Sequence, residues 1–126
     1  MAVLGFSHFN LKAERPLLAA LRDFYRDVVG LHDGARPPFP AFGYWLYAGN
    51  EAVLHLIEAP AGVGLPTAPE SNFDHVAFAC SGRDATKTRL AAAGVPFRER
   101  AIPGAAIVQL FLHDPAGNGV ELNFVD

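Results

Sequence analysis

Apolar and polar residues alternate where the chain opens. Phe9 and Leu11 fall on one face of an extended segment and His8, Asn10 and Lys12 on the other, which predicts a half-buried strand. The pattern returns over Phe73 to Cys80, where Val76, Phe78 and Cys80 oppose His75, Ala77 and Ala79. In both copies a Phe stands two residues before a His, and each copy leads into a helical segment. In the first, Pro16 suits an opening turn, and Leu17, Leu21, Phe24 and Val28 recur at helical spacing up to Gly30, the expected C-terminal stop. In the second, Ser81-Gly82-Arg83-Asp84 reads as an N-cap with an acidic residue three positions on, opening a helix that runs to Ala93 and stops at Gly94.

Strand-forming runs complete each half: a short one between Leu31 and Arg36, then Phe42 to Ala48 and Ala52 to Glu58; later Pro96 to Ala101, Ala106 to His113 and Gly119 to Val125. Asp114 to Asn118 carries turn chemistry between the last two. Ala59 to Pro69 holds three Pro and two Gly without periodicity and reads as a linker. The expectation is an α+β chain of one domain, residues 1–126. It is built from two βαβββ modules (about 1–60 and 71–126, linker about 59–70) whose curved sheets meet edge to edge with the helices outside.

Composition narrows the function. Ten basic against thirteen acidic residues leave a net charge of −3, so the basic field of a nucleic-acid-binding protein is missing. Apolar stretches are broken by Pro, Gly or charge before the roughly 18 residues a membrane span needs. The single Cys80 cannot form an internal disulfide, which fits a reducing compartment, and the cytoplasm is the expected location. Cys80 shares a face with Val76 and Phe78 and reads as an inert thiol. No Gly-rich phosphate loop and no nucleophile elbow is present.

The candidate chemistry lies on the polar strand faces. His55 sits mid-strand with Val53 and Ile57, opposite Leu54 and Leu56; Glu121 sits with Asn123, opposite Val120, Leu122 and Phe124. His8 and His55 are 47 residues apart and His75 and Glu121 are 46 apart, so His55 and Glu121 hold matching places in their halves. Four donors from four equivalent strands are thereby expected to bind one divalent ion (Zn, Ni, Co, Mn or Fe(II)), because imidazole nitrogen and carboxylate oxygen suit borderline metals. His32 and His113 fall at element ends and read as surface residues.

With these residues in place, the chain resembles the glyoxalase/bleomycin-resistance/dioxygenase group, the vicinal oxygen chelate superfamily. The resemblance is carried by the opening strand with His8, by Asp23 to Leu31, by Phe73 to Phe78, and by Leu112 to Leu122. It implies paired βαβββ modules in a cupped, partly open mixed β-barrel holding one metal, and commonly a homodimer. His8, His75 and Glu121 match the two-His-one-carboxylate ligand set. His55 stands where metal-dependent glyoxalases usually carry Glu, a departure from the pattern. The carboxylate matching Glu121 is a proton-shuttling base in related glyoxalases.

The function expected is therefore a metal-dependent lyase or isomerase of the glyoxalase type acting on a small molecule, with Glu121 and His55 as catalytic candidates. The alternatives are an extradiol-type dioxygenase, in which His55 stands off the metal as an acid/base group, and a non-catalytic drug-binding protein. A fosfomycin-type thiol transferase ranks below these, because Asn10 stands where those enzymes carry Thr. Phe39, Phe42, Tyr44, Trp45 and Tyr47 supply an aromatic rim. A two-residue Gly49-Asn50 turn aligns Tyr44 and Leu46 with His55, and a three-residue loop aligns Trp45 and Tyr47 instead. Lys12, Arg36, Arg98 and Arg100 are the cations that could meet a substrate carboxylate.

Overall fold

A computed structural model describes residues 1–62 and 72–125. The chain divides into two compact units, Met1–Leu65 and Pro66–Asp126. Most of the expected linker, from residue 63 on, lies outside the described residues.

The first unit runs β1 (Phe9–Ala13), α1 (Arg15–Asp23), a π-helical continuation (Phe24–Val29), β2 (His32–Asp33), β3 (Gly43–Ala48) and β4 (Glu51–Glu58). The second runs β5 (His75–Cys80), α2 (Arg83–Ala92), β6 (Arg98–Ala101), β7 (Val108–His113) and β8 (Gly119–Phe124). Each is βαβββ, the α+β class expected. The sheet orders match, β1-β4-β3-β2 and β5-β8-β7-β6. The first and last strands of each unit pair in parallel and the others antiparallel.

Burial follows the alternation. Leu54, Leu56 and Leu46 are buried with Leu18, Leu21 and Tyr25 of the helix side; Val120, Leu122, Phe124, Leu110 and Leu112 are buried with Leu90 and Thr86. The opposite sheet faces are thereby left for chemistry.

Three details depart from the expectations. The first helix ends at Gly30, whose φ of 101° needs glycine, but its last stretch widens into π turns that bury Phe24, Tyr25 and Val28. At the second helix the cap is Gly82, not Ser81: its φ is 75°, and its carbonyl accepts from Thr86 Oγ1 at 2.9 Å. The strand expected between Leu31 and Arg36 shrinks to two residues. The Tyr47 ring lies over Gly34 where a Cβ would come within 2.4 Å of it, and Pro37 and Pro38 follow without N–H groups to pair.

Candidate functional site

Register puts the expected donors in equivalent places. Asn10 pairs with His55 in the first unit and Ala77 with Glu121 in the second. Each of His55 and Glu121 is therefore opposite the residue two beyond its unit's leading His, as the 47 and 46 spacings imply.

In the first unit His8 precedes β1 by one residue, and its ring stacks on His55 with centroids 3.7 Å apart. The other face of His55 is covered by Trp45, 4.0 Å away and tilted by only 9°. Burial, with the His8 ring beside it, pushes the His55 imidazole below its ordinary value, so the neutral form with a free lone pair is favoured. Trp45 reaches this position through a β-bulge. The hairpin closes on a two-residue turn with Ala48 opposite Glu51, and the register then shifts so that Trp45, not Tyr44, faces His55. Both hairpin geometries weighed from the sequence are thus used in part. Tyr44 and Phe42 lie instead beneath Arg22 and Arg15 of α1, and the Tyr47 hydroxyl donates to Ala35 O. A pocket of about 430 Å³ is lined by His8, Asn10, Arg36, Phe39, Trp45 and His55, with Leu56 and Ile57.

In the second unit His75 Nε2 is 3.7 Å from Glu121 Oε1. Glu121 is one of three buried polar residues among the described residues, 8% exposed. Here a pocket of about 450 Å³ holds His75 and Glu121 together with Asp74, Arg98, Arg100 and Phe111. Arg98 and Arg100 both sit over the Phe111 ring. His113 is exposed on the same rim, and His32 is exposed with Nε2 bonded to Gly49 O.

Each of the three candidate histidines has one ring nitrogen engaged and the other left over. His75 Nδ1 donates to Asp74 Oδ2 at 2.8 Å, His55 Nε2 donates to Ala52 O at 3.1 Å, and His8 Nδ1 meets Ser7 Oγ at 2.9 Å. The acceptors on His75 and His55 fix ring and tautomer and leave a lone pair on the other nitrogen, as metal-ligating histidines require, while the Ser7 hydroxyl, which can donate or accept, orients the His8 ring. The 3.7 Å between His75 and Glu121 also suits a shared ion, since two donors bound at about 2.0–2.2 Å stand roughly 3.0–3.5 Å apart. The donor chemistry therefore fits a divalent metal. The structure brings the donors together in pairs, His8 with His55 and His75 with Glu121. Among the described residues no group of three or more His, Cys, Asp or Glu side chains is arranged to hold an ion.

Sequence reasoning missed the orienting role of Asp74, although the Asp-His pair was in view, and the ring stack, which depends on the bulge. Cys80 is half-buried and its thiol is pushed up by burial, in line with an inert role. Among the described residues no helix is long and apolar enough to cross a membrane.

Comparison with known proteins places these observations in a lineage. The model of the Glyoxalase/Bleomycin resistance protein/Dioxygenase superfamily matches residues 13–122. A curated relative, "Glyoxylase I 4" of Arabidopsis thaliana, is 31% identical over 105 residues, covering 79% of this chain and 60% of the relative, so the chain spans about three-fifths of that protein. Among solved structures, a glyoxalase-family protein from Bacillus anthracis superposes with a TM-score of 0.73 at 21% identity, covering 98% of this chain and 97% of the other. Lactoylglutathione lyase from Agrobacterium tumefaciens superposes with a TM-score of 0.67 at 25% identity, covering 98% and 96%.

Proposed function

Because the chain belongs to the Glyoxalase/Bleomycin resistance protein/Dioxygenase superfamily, we propose that it is a metal-dependent lyase or isomerase of the glyoxalase type. In this reading it acts on a small molecule in the cytoplasm as a homodimer. His8, His55, His75 and Glu121 are the ligands of one divalent ion. The reading rests on the free nitrogen that each histidine retains after its other nitrogen is hydrogen-bonded. The likeness to proteins called glyoxylase I and lactoylglutathione lyase supports the reaction class.

When bound, the ion supplies Lewis-acid polarisation of adjacent substrate oxygens. Glu121, buried and 3.7 Å from His75, would move the proton: its carboxylate takes it from the carbon bearing the substrate hydroxyl and returns it to the neighbouring carbon, while the hydroxyl proton passes to the neighbouring carbonyl oxygen. Asp74 holds the His75 ring through Nδ1, and the Trp45 and His8 rings hold His55.

His8→Ala and Glu121→Ala are expected to lose stoichiometric metal while keeping the fold, by elemental analysis and circular dichroism. Unchanged metal content in both removes the reading. Turnover of thiol hemithioacetals by metal-loaded protein tests the reaction class. The second reading, an extradiol-type dioxygenase, draws on His55: Nε2 is spent on Ala52 O and both ring faces are covered, as suits an acid/base group standing beside a three-ligand site. His55→Ala separates the two. Weakened metal affinity marks a ligand, whereas full metal content with lowered turnover, together with ring cleavage of catechols by the Fe(II) protein in air, favours the dioxygenase.

A further inference from the structure

The pocket of the first unit has a cation on its wall that no carboxylate balances among the described residues. Arg15, Arg22 and Arg26, the unit's other arginines, each meet a Glu or Asp. Arg36 does not. Its Nη2 donates to Ala41 O at 2.8 Å and its guanidinium lies 5.2 Å from the Phe39 ring centroid. Nε is buried without a hydrogen-bond partner among the described residues. Gly43 lies beneath the guanidinium, where a Cβ would meet Leu56 O at 2.1 Å and stand 3.1 Å from Nη2. A part-buried guanidinium held in place and left without an anion is costly unless a ligand brings one. Its planar fork of donors matches a carboxylate better than a neutral acceptor. The surrounding wall is aromatic and aliphatic, from Phe39, Trp45 and Ile57.

We propose that this pocket binds an aryl carboxylate, with the ring against Phe39 and Trp45 and the carboxylate on Arg36, so that Arg36 sets the substrate class. The inference deepens the proposed function, since His8 and His55 line the same pocket. It rests on that reading only for calling the bound molecule a substrate.

Trp45 is the chain's one tryptophan, so its fluorescence reports occupancy directly. Phenylacetate and phenylacetamide have nearly the same shape and differ in charge. Each is titrated into the full chain after removal of metal with EDTA and again after loading with Zn²⁺, with zinc content measured throughout. The expected result is saturable binding of phenylacetate about tenfold or more tighter than phenylacetamide, with and without zinc. In Arg36→Gln the preference is expected to shrink to within about twofold with zinc content unchanged, and in Arg36→Lys to be intermediate.

Equal binding of the two compounds by the unaltered protein overturns the proposal, as does a preference that survives Arg36→Gln, one that appears only with zinc, or no saturable binding of either. The comparison within the unaltered protein stands even where Arg36→Gln fails to fold. An Arg36-dependent preference in a protein that takes up none of Zn, Ni, Co, Mn or Fe(II) upholds this subsite and defeats the metal reading instead.

Discussion

Asp74 illustrates what alternation does not reach. Period-two reasoning sends residue 74 to the face opposite His75, yet Asp74 lies before the first paired residue of β5. Outside the ladder its carboxylate swings back to His75 Nδ1. The residues that do lie within strands, His55 and Glu121, face where the pattern puts them. If Asp74 orients a ligand, Asp74→Ala weakens metal affinity by about 10–100-fold while leaving stoichiometry intact at saturating metal. Competition with a chromophoric chelator checks this, and wild-type affinity contradicts it. Cys80 offers a second test at this scale. Burial raises its thiol above the ordinary 9.0, so less thiolate is present at any pH below that value than in a free cysteine. Alkylation by iodoacetamide is therefore expected to be slower than for glutathione at pH 8 and to gain rate at higher pH than glutathione does.

Among the elements, the strands and helices were legible because their apolar faces repeat at 2 or 3.6 residues, and the places of His55 and Glu121 followed from spacing alone. The β3–β4 register was not. Gly49-Asn50 specifies the tight turn, but the bulge beyond Leu46 falls at Tyr47, which packs over Gly34 and reaches Ala35 O, contacts with residues distant along the chain. The two-residue β2 and the shift of the α2 cap from Ser81 to Gly82 have similarly nonlocal or backbone causes. Close approach of strands gives a prediction here. Gly119 pairs with His75, and a Cβ on it would stand 2.4 Å from Asp74 O and 2.9 Å from His75 Cβ. The backbone cannot yield as a side-chain tip can. Gly119→Ala is expected to cost about 1–3 kcal/mol in urea unfolding and, by pushing His75 aside, to weaken metal binding as well. Wild-type stability would show that β5 and β8 part without strain.

At the scale of the whole molecule, each helix is tied to its own sheet by a charged pair, at strands that are not equivalent in the repeat. Arg15 at the start of α1 grips Glu58 of β4 with two hydrogen bonds, and Lys87 of α2 donates to Glu99 of β6 at 2.8 Å. Within the first helical stretch, Arg26 holds the adjacent Asp27 with two hydrogen bonds. The partner's hydrogen bond leads in each case and holds Glu58 and Glu99 below their ordinary 4.5 and Asp27 below 3.8. A carboxyl group with a lower value in the folded than in the unfolded chain binds fewer protons when folded. It contributes stability that is fully present above the unfolded value and lost as pH falls through the folded one. All three groups act in the same direction, and so does His55, whose depressed value makes stability begin to fall below its ordinary 6.5; the thermal midpoint is therefore expected to ease below about pH 6.5 and to decline further below the ordinary carboxylate range. The pairs are exposed and screened, so the contribution of each is small and shrinks with added salt. In the double variant Glu58→Gln, Glu99→Gln the thermal midpoint at low ionic strength is expected to be slightly lower at neutral pH and to converge with the unaltered protein in acid, so that the acid decline is shallower. Scanning calorimetry across this range measures it, and an identical acid slope in the variant would mean that these two ties do not contribute to the acid sensitivity of the fold.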